Sequence, residues 1–244
     1  GAGGIRQVGR LLLFECADAL VNQLKNVIQG LVAVNGVEVG RPLDIVVTAG
    51  ISGGTGSGTF LDLAYLIRYL MRTYFAGVDF NIIAYLLMPA VNIANMDPLS
   101  KSNRHLLKAN GFAALKELDF WMNYEKHKLP FTQKYSDSIT YTWQTPPFND
   151  VVLLGDTRED GTIITGAYKN TMNILAESVF NFFADEVSYA GSPIGYRSHG
   201  INLNAIKGHM RLKFPTNYTY MSIGAASSDS MRDQMILYEA KLTF

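Results

Sequence analysis

One stretch of this chain combines residue types and spacing that can do chemistry. It runs Thr48-Ala49-Gly50-Ile51-Ser52-Gly53-Gly54-Thr55-Gly56-Ser57-Gly58-Thr59, with four glycines in the six residues 53–58. Glycine lets the backbone come close to a ligand and visit positive φ. Successive N–H groups can then line one concavity, and a following helix adds partial positive charge at its start. Thr55, Ser57 and Thr59 carry hydroxyls able to donate to phosphate oxygens. The stretch therefore reads as an oligophosphate cradle. The competing reading is a structural turn that lets a helix pack tightly on a sheet. Interleaved Thr and Ser at a predicted strand–helix junction favour phosphate.

Two common phosphate motifs do not fit. A Walker loop ends in Gly-Lys-Ser/Thr, whereas Gly58 is followed by Thr59 and Phe60, with no lysine nearby. For the dinucleotide fingerprint G-x-G-x-x-G, a start at Gly54 puts Thr59 in the sixth position and a start at Gly56 puts Leu61 there. Other chemistry-bearing residues form no constellation. His105, His127, His199 and His209 are scattered without metal-ligand spacing and read as surface residues, so no metal site is expected within the chain. Asp156, Glu159 and Asp160 follow a predicted strand and read as a solvated turn. Cys16 falls on an apolar helical face and is expected to be inert core. No G-x-S-x-G elbow or ordered Ser/His/Asp set is present.

The elements that must hold the cradle follow from periodicity. Residues 8–28 have helical spacing, with Leu12, Leu13, Cys16, Leu20, Leu24 and Ile28 on the apolar side and Gly30 as the stop. Residues 43–49 are β-branched and almost uncharged, a buried strand; 80–88 and 150–155 read the same way. Helices are expected over 59–75, 100–122 and 165–184, the last long and central. Residues 89–98 read as a loop, and 126–148, aromatic but aperiodic, as a surface excursion. A short helix over 204–210 and a strand over 218–226 complete the pattern. Strands alternating with helices predict an α/β fold, a parallel sheet covered on both faces.

Composition bounds the function. The 244 residues are 48% hydrophobic and 17% charged, enough apolar matter for a folded core. Twenty-one Lys and Arg balance twenty-one Asp and Glu. A general nucleic-acid binder would carry a cationic surplus, so none is expected here. The longest apolar run, about ten residues from Ile82 and broken by Pro89, is half of what a membrane span needs. A single cysteine and no signal peptide are consistent with a cytoplasmic setting.

The six residues Gly53-Gly54-Thr55-Gly56-Ser57-Gly58 resemble the G-G-T-G-S/T-G signature of the tubulin/FtsZ superfamily. Gly1-Ala2-Gly3-Gly4 with Val8-Gly9-Arg10 is similar to that superfamily's γ-phosphate loop. Arg104 and the words Ala-Asn-Gly-Phe-Ala-Ala-Leu-Lys-Glu-Leu-Asp, ending at Asp119, resemble the helix after its third nucleotide loop, in the form of the bacterial tubulin-like branch. The resemblance implies GTP or GDP with Mg²⁺, held by Ala2, Gly3, Gly4, Gly53, Gly54, Thr55, Gly56, Ser57, Gly58 and Arg104. It implies base contacts from the central helix, with Tyr168 stacking and Asn170 or Asn173 reading the guanine edge, although the family spacing lands on Met172. It also implies a first strand with its own phosphate loop upstream of Gly1. Residues 1–198 would form the nucleotide-binding domain, and 199–244 the inter-subunit loop and the start of a C-terminal domain.

The superfamily completes its hydrolytic site with a neighbouring subunit's Asn-x-Asp-x-x-Asp/Glu loop, which implies head-to-tail self-association. In this chain the matching stretch contains Asn202, Asn204 and Lys207, and neither register of the motif supplies a carboxylate. No Asp or Glu occurs between Glu186 and Asp229, while Arg197, Lys207, Arg211 and Lys213 make the window basic. An amide cannot accept a proton or bind Mg²⁺ as a carboxylate does. The expectation is slow or non-standard hydrolysis, with Asp185, Glu186, His199 or His209 as substitutes. A non-polymerising nucleotide-binding module of a larger bacterial complex is the alternative.

Overall fold

The structure, a computed structural model, describes residues 2–35, 42–96, 103–158, 160–184 and 220. Three parallel strands, β1 (Leu43–Gly50), β2 (Phe80–Leu87) and β5 (Asp150–Leu154), form a sheet in the order β1-β2-β5. Leu43 pairs with Phe80 and Gly50 with Leu87, while Ile83 pairs with Asp150 and Leu87 with Leu154. The carboxyl ends of all three strands thus finish at one edge.

The central strand is buried on both sides, which explains its unbroken apolar run. Ile82, Ala84 and Leu86 face one core. That core is filled by α3 (Thr55–Tyr74), α2 (Ala17–Asn35) and α5 (Arg104–Met122). Ile83, Tyr85 and Leu87 face a smaller core with Val152, Leu154, Val91 and Leu175, the last on α7 (Ala167–Ala184). The expected α/β architecture, a parallel sheet flanked by helices, is what the chain adopts.

Several local expectations are corrected. The helix expected over 8–28 is two helices, α1 (Arg6–Glu15) and α2. The break falls at Cys16, whose backbone has left the helical region and whose side chain is exposed, not core. Its thiol donates to the Leu12 carbonyl at 2.7 Å. Gly30 does not stop α2, which runs on to Asn35. The helix expected from 59 begins four residues earlier, inside the glycine stretch. Residues 89–98 contain a short helix, α4 (Pro89–Ala94), started by a proline suited to a first turn.

The largest correction concerns 126–148. After α6 (Tyr124–His127) this segment forms a hairpin, β3 (Phe131–Lys134) and β4 (Thr140–Trp143), and it belongs to the core. Phe131, Tyr135, Ile139, Trp143 and Phe148 are all buried there. Phe131 stacks on Tyr65 at 4.1 Å and Phe148 on Phe60 at 6.2 Å. The hairpin thereby covers part of α3, which is buried along most of its length.

Two charges are buried on α3, and each is matched. Asp62 accepts two hydrogen bonds from Arg10, at 2.7 and 3.1 Å, and one from the Tyr135 hydroxyl at 3.0 Å. The hydrogen bond to Asp62 holds the Arg10 guanidinium above its ordinary range. Arg68 donates to the Pro147 carbonyl at 2.9 Å and to Asn149 at 3.1 Å. Burial pushes its guanidinium down to about 10, still protonated at neutral pH.

The two helices flanking the cradle meet backbone to backbone. A Cβ on Gly9 of α1 would lie 2.3 Å from the Gly54 carbonyl oxygen, and one on Gly58 of α3 would lie 2.3 Å from the Arg6 carbonyl oxygen. Gly9→Ala is therefore expected to destabilise the fold by about 2 kcal/mol in urea denaturation, although alanine is the better helix former. Gly30→Ala, where a Cβ would meet nothing, is expected to stabilise by about 0.5–1 kcal/mol. Phe148→Ala is expected to cost about 3–5 kcal/mol in the same assay; a surface excursion would lose almost nothing.

Candidate functional site

The ends of the strands are followed by loops that gather above the sheet, where parallel α/β folds bind ligands. The loop 51–54 leaves β1 and turns into α3. The loop 2–5 enters α1 beside it. Gly3 and Gly4 have φ of 57° and 82°, left-handed values that glycine adopts without strain. The Ala2 amide donates to Thr55 Oγ1 at 3.4 Å, so the N-terminal ends of α1 and α3 are in contact. Neither the N-cap Ile5 nor the N-cap Gly54 caps its helix with a side chain. The first amides of each helix have no intrahelical acceptor, and both helix ends carry partial positive charge.

The surroundings reinforce that field. Of the cations around these loops, Arg6 and Arg10 are paired with Glu117 and Asp62, while Arg104 and Lys108 lie in the first turns of α5, where residues 103–116 contain no Asp or Glu. Arg104 is the first residue of α5. Its Nε is buried and has no hydrogen-bond partner among the described residues. Two residues later, Leu106 Cδ2 would lie 3.3 Å from a Cβ on Gly4, so the start of α5 adjoins the loop 2–5. A buried guanidinium nitrogen with no partner is costly unless an acceptor arrives, and an anion supplies one.

The glycines of the signature divide into two jobs. Gly54, Gly56 and Gly58 are packing positions: an added Cβ would lie within 2.6 Å of the Ile5 nitrogen, the Gly50 oxygen and the Arg6 oxygen respectively. At Gly53 an added Cβ would meet nothing within 4 Å among the described residues beyond its chain neighbours. The hydroxyls divide similarly. Ser57 Oγ donates to the Gly53 carbonyl, and Thr59 Oγ1 donates to the Thr55 carbonyl at 2.9 Å, so both protons are taken up by backbone. Thr55 accepts from Ala2 and keeps its own proton for another acceptor.

Sequence reasoning missed the side chains that fix these loops. Asn110, buried on α5, donates from Nδ2 to the Gly4 carbonyl at 2.8 Å and to the Ser52 carbonyl at 3.0 Å. Asn92 on α4 donates to the hydroxyl of the same Ser52. Arg6 donates to the Ser57 carbonyl at 2.9 Å and pairs with Glu117, Nη1 to Oε1 at 2.9 Å. The available signal was Asn110, a polar residue in the inward stripe Asn110, Ala114, Leu118, spaced by four.

The central-helix candidates are placed as follows. Thr171 is buried and donates to the Gly155 carbonyl at 3.4 Å, tying α7 to the end of β5. Tyr168 is 37% exposed at the start of the helix. Asn170 and Asn173 are also exposed. Asn170 lies about 200° around the helix from Tyr168, so the two do not share a face. Its amide donates to the Thr165 carbonyl at 2.5 Å. Met172, on which the family spacing lands, is four residues on from Tyr168 and shares its side. Asp156 and Asp160 form a self-contained turn; the Thr162 hydroxyl holds the Asp160 carboxyl below its ordinary range. His127 stacks on Phe120 at 4.1 Å and accepts from the Leu129 amide, a structural role.

Asn202, Asn204 and Lys207 lie outside the described residues, as do Asp185, Glu186, His199 and His209. Among the described residues no group of three His, Cys, Asp or Glu could hold a metal ion, and no helix is long and apolar enough to cross a membrane.

No curated protein matches the chain. The model of a family described as tubulin-like matches residues 1–242, nearly the whole sequence. With its signature at the junction of β1 and α3 and two uncapped helix ends above a parallel sheet, this chain belongs to the tubulin-like family of the tubulin/FtsZ superfamily.

Proposed function

We propose that the chain binds GTP or GDP above the carboxyl ends of β1, β2 and β5, assembles head to tail through that site, and hydrolyses GTP slowly. The observation that carries the binding reading is the meeting of two uncapped helix ends; Arg104, whose Nε is buried without a partner among the described residues, opens the helix whose Leu106 adjoins the loop 2–5. Family membership supports guanine as the base.

In this reading the amides at the starts of α1 and α3, the Thr55 hydroxyl and Arg104 hold phosphate oxygens. Gly53 leaves room for them. Tyr168 stacks on the base, and Asn173 reads its edge, since Asn170 faces away from Tyr168 and its amide is held by the Thr165 carbonyl. Mg²⁺ would neutralise phosphate charge, and it commonly keeps several waters and bridges phosphates. The donor set of the described residues, amides and cations without a carboxylate cluster, fits an ion carried mainly by the nucleotide.

The slow-hydrolysis reading rests on the sequence window without Asp or Glu between 186 and 229. Phosphoryl transfer depends on positioned charge, and an amide or a lysine does not orient an attacking water as a carboxylate does. Pelleting with GTP and with a non-hydrolysable analogue, run beside phosphate release, tests assembly and turnover together. Assembly in both nucleotides with slow release is expected. Rapid release abolished by Asp185→Ala would overturn slow hydrolysis, and turnover independent of protein concentration would count against a shared site.

Binding itself is tested by calorimetric titration of GTP against ATP. Gly53→Ala is expected to leave the urea midpoint unchanged and to weaken GTP about tenfold, because its methyl group enters the space assigned to phosphate. Arg104→Ala is expected to weaken GTP roughly 10- to 100-fold through loss of charge-assisted hydrogen bonds. A wild-type chain with no preference for guanine would remove the proposal.

A further inference from the structure

We propose that Asn110 is a positioning residue that clamps the loop 2–5 to the loop 51–54, so that the two helix ends act as one site able to measure the length of a phosphate chain. The inference rests on the nucleotide reading above and deepens it.

The Gly4 and Ser52 carbonyls are both acceptors and cannot bond each other. A group with two protons on one atom, placed between them, satisfies both. The Asn110 amide nitrogen does this, at 2.8 and 3.0 Å, from a position only 8% exposed. Its own place is fixed. The next residue, Gly111, leaves no room for a Cβ, which would lie 2.1 Å from Pro89 Cγ at the start of α4. From α4, Asn92 holds the hydroxyl of the Ser52 whose carbonyl Asn110 holds. Glu117, two turns along α5 from Asn110, pairs with Arg6 in the first turn of α1. Both anion-facing loops are therefore hung from one wall formed by α4 and α5.

The consequence is one of effective concentration. A short phosphate chain touches one helix end and gains little from the other. A longer chain that touches both gains fully only if their separation is set beforehand. Releasing the clamp lets either loop move alone. It penalises the longer ligand and spares the shorter.

The test uses the full chain and three variants, Asn110→Ala, Asn110→Asp and Asn110→Ser. Competition against a fluorescent guanosine nucleotide gives the affinities of GTP and GDP. Asn110→Ala is expected to reduce the preference for GTP over GDP about tenfold while changing GDP affinity less than about threefold. Asn110→Ser keeps one donor and should fall between, and Asn110→Asp should be worse than alanine because it faces two carbonyl oxygens with charge. Equal weakening of both nucleotides, or no change in either, overturns the clamp and indicates a purely structural asparagine. Amide hydrogen exchange on nucleotide-free protein supplies an independent reading. The clamp requires segments 2–6 and 51–57 to speed up together in Asn110→Ala, or in Asn110→Ser if alanine does not fold, with β2 unchanged. Acceleration of only one segment, or of the whole chain, overturns it. Failure of the wild type to bind either nucleotide removes the guanine reading, and the exchange measurement still decides the clamp.

Discussion

The closeness of α1 and α3 is the constraint on which the site depends. Two helices normally keep their axes 8–10 Å apart because side chains fill the gap. Here Gly9, Gly54 and Gly58 remove the side chains at the contact, and the backbones touch. That contact brings two helix N-termini side by side, so their partial charges add at one place. Any Cβ at these positions would push the ends apart and separate their partial charges. The glycine signature is thus as much about helix–helix approach as about ligand access. The packing reading of the sequence is realised at Gly54, Gly56 and Gly58, and open space remains at Gly53.

The sheet is locked at the edge opposite the site. Arg68 donates to Asn149, Asn149 to Asn81, and Asn81 to Asp44, a chain of side chains across β5, β2 and β1 at their amino ends. Asn149 also accepts the Ile82 amide at 3.0 Å. Polar side chains that pair among themselves in this way fix register, because a slip by one residue would strand each of them. With register set below, the loops above leave their strands at fixed heights. The register lock and the candidate site thereby occupy opposite ends of the same three strands.

The strands are legible because a doubly covered parallel strand such as β2 is largely apolar; β1 has the same apolar run but, at the edge of the described sheet, is buried only at Val47, which corrects the expectation of a buried strand there. The break at Cys16 was not legible, since the apolar pattern continues across it and only the backbone changes. The start of α3 is not legible because Gly56 and Gly58 are poor helix formers, and tertiary contact overrides propensity. The hairpin of 131–143 was read as surface because its aromatic residues have no period; their burial is decided by Tyr65, Phe60 and Trp121, partners distant in sequence. At the candidate site the glycines announced themselves by spacing. Asn92 and Asn110 did not, because an asparagine on a helix looks the same whether it is solvated or bonded to two buried loops.

The helix α5 has one more attachment. Nine residues beyond Asn110, Asp119 accepts a hydrogen bond from the Tyr220 hydroxyl at 3.3 Å. An α-helix rises about 1.5 Å per residue, so the two positions are separated by about 13 Å of stiff rod. Tyr220 lies in the chain after the central helix, far in sequence from the loops that Asn110 holds. A tilt of about 5° pivoting at Asn110 would move Asp119 by about 1 Å, enough to break or remake that bond. The rod thus joins the loops 2–5 and 51–54, held by Asn110 at one attachment, to the bond with Tyr220 at the other, so a tilt at either changes the geometry of both.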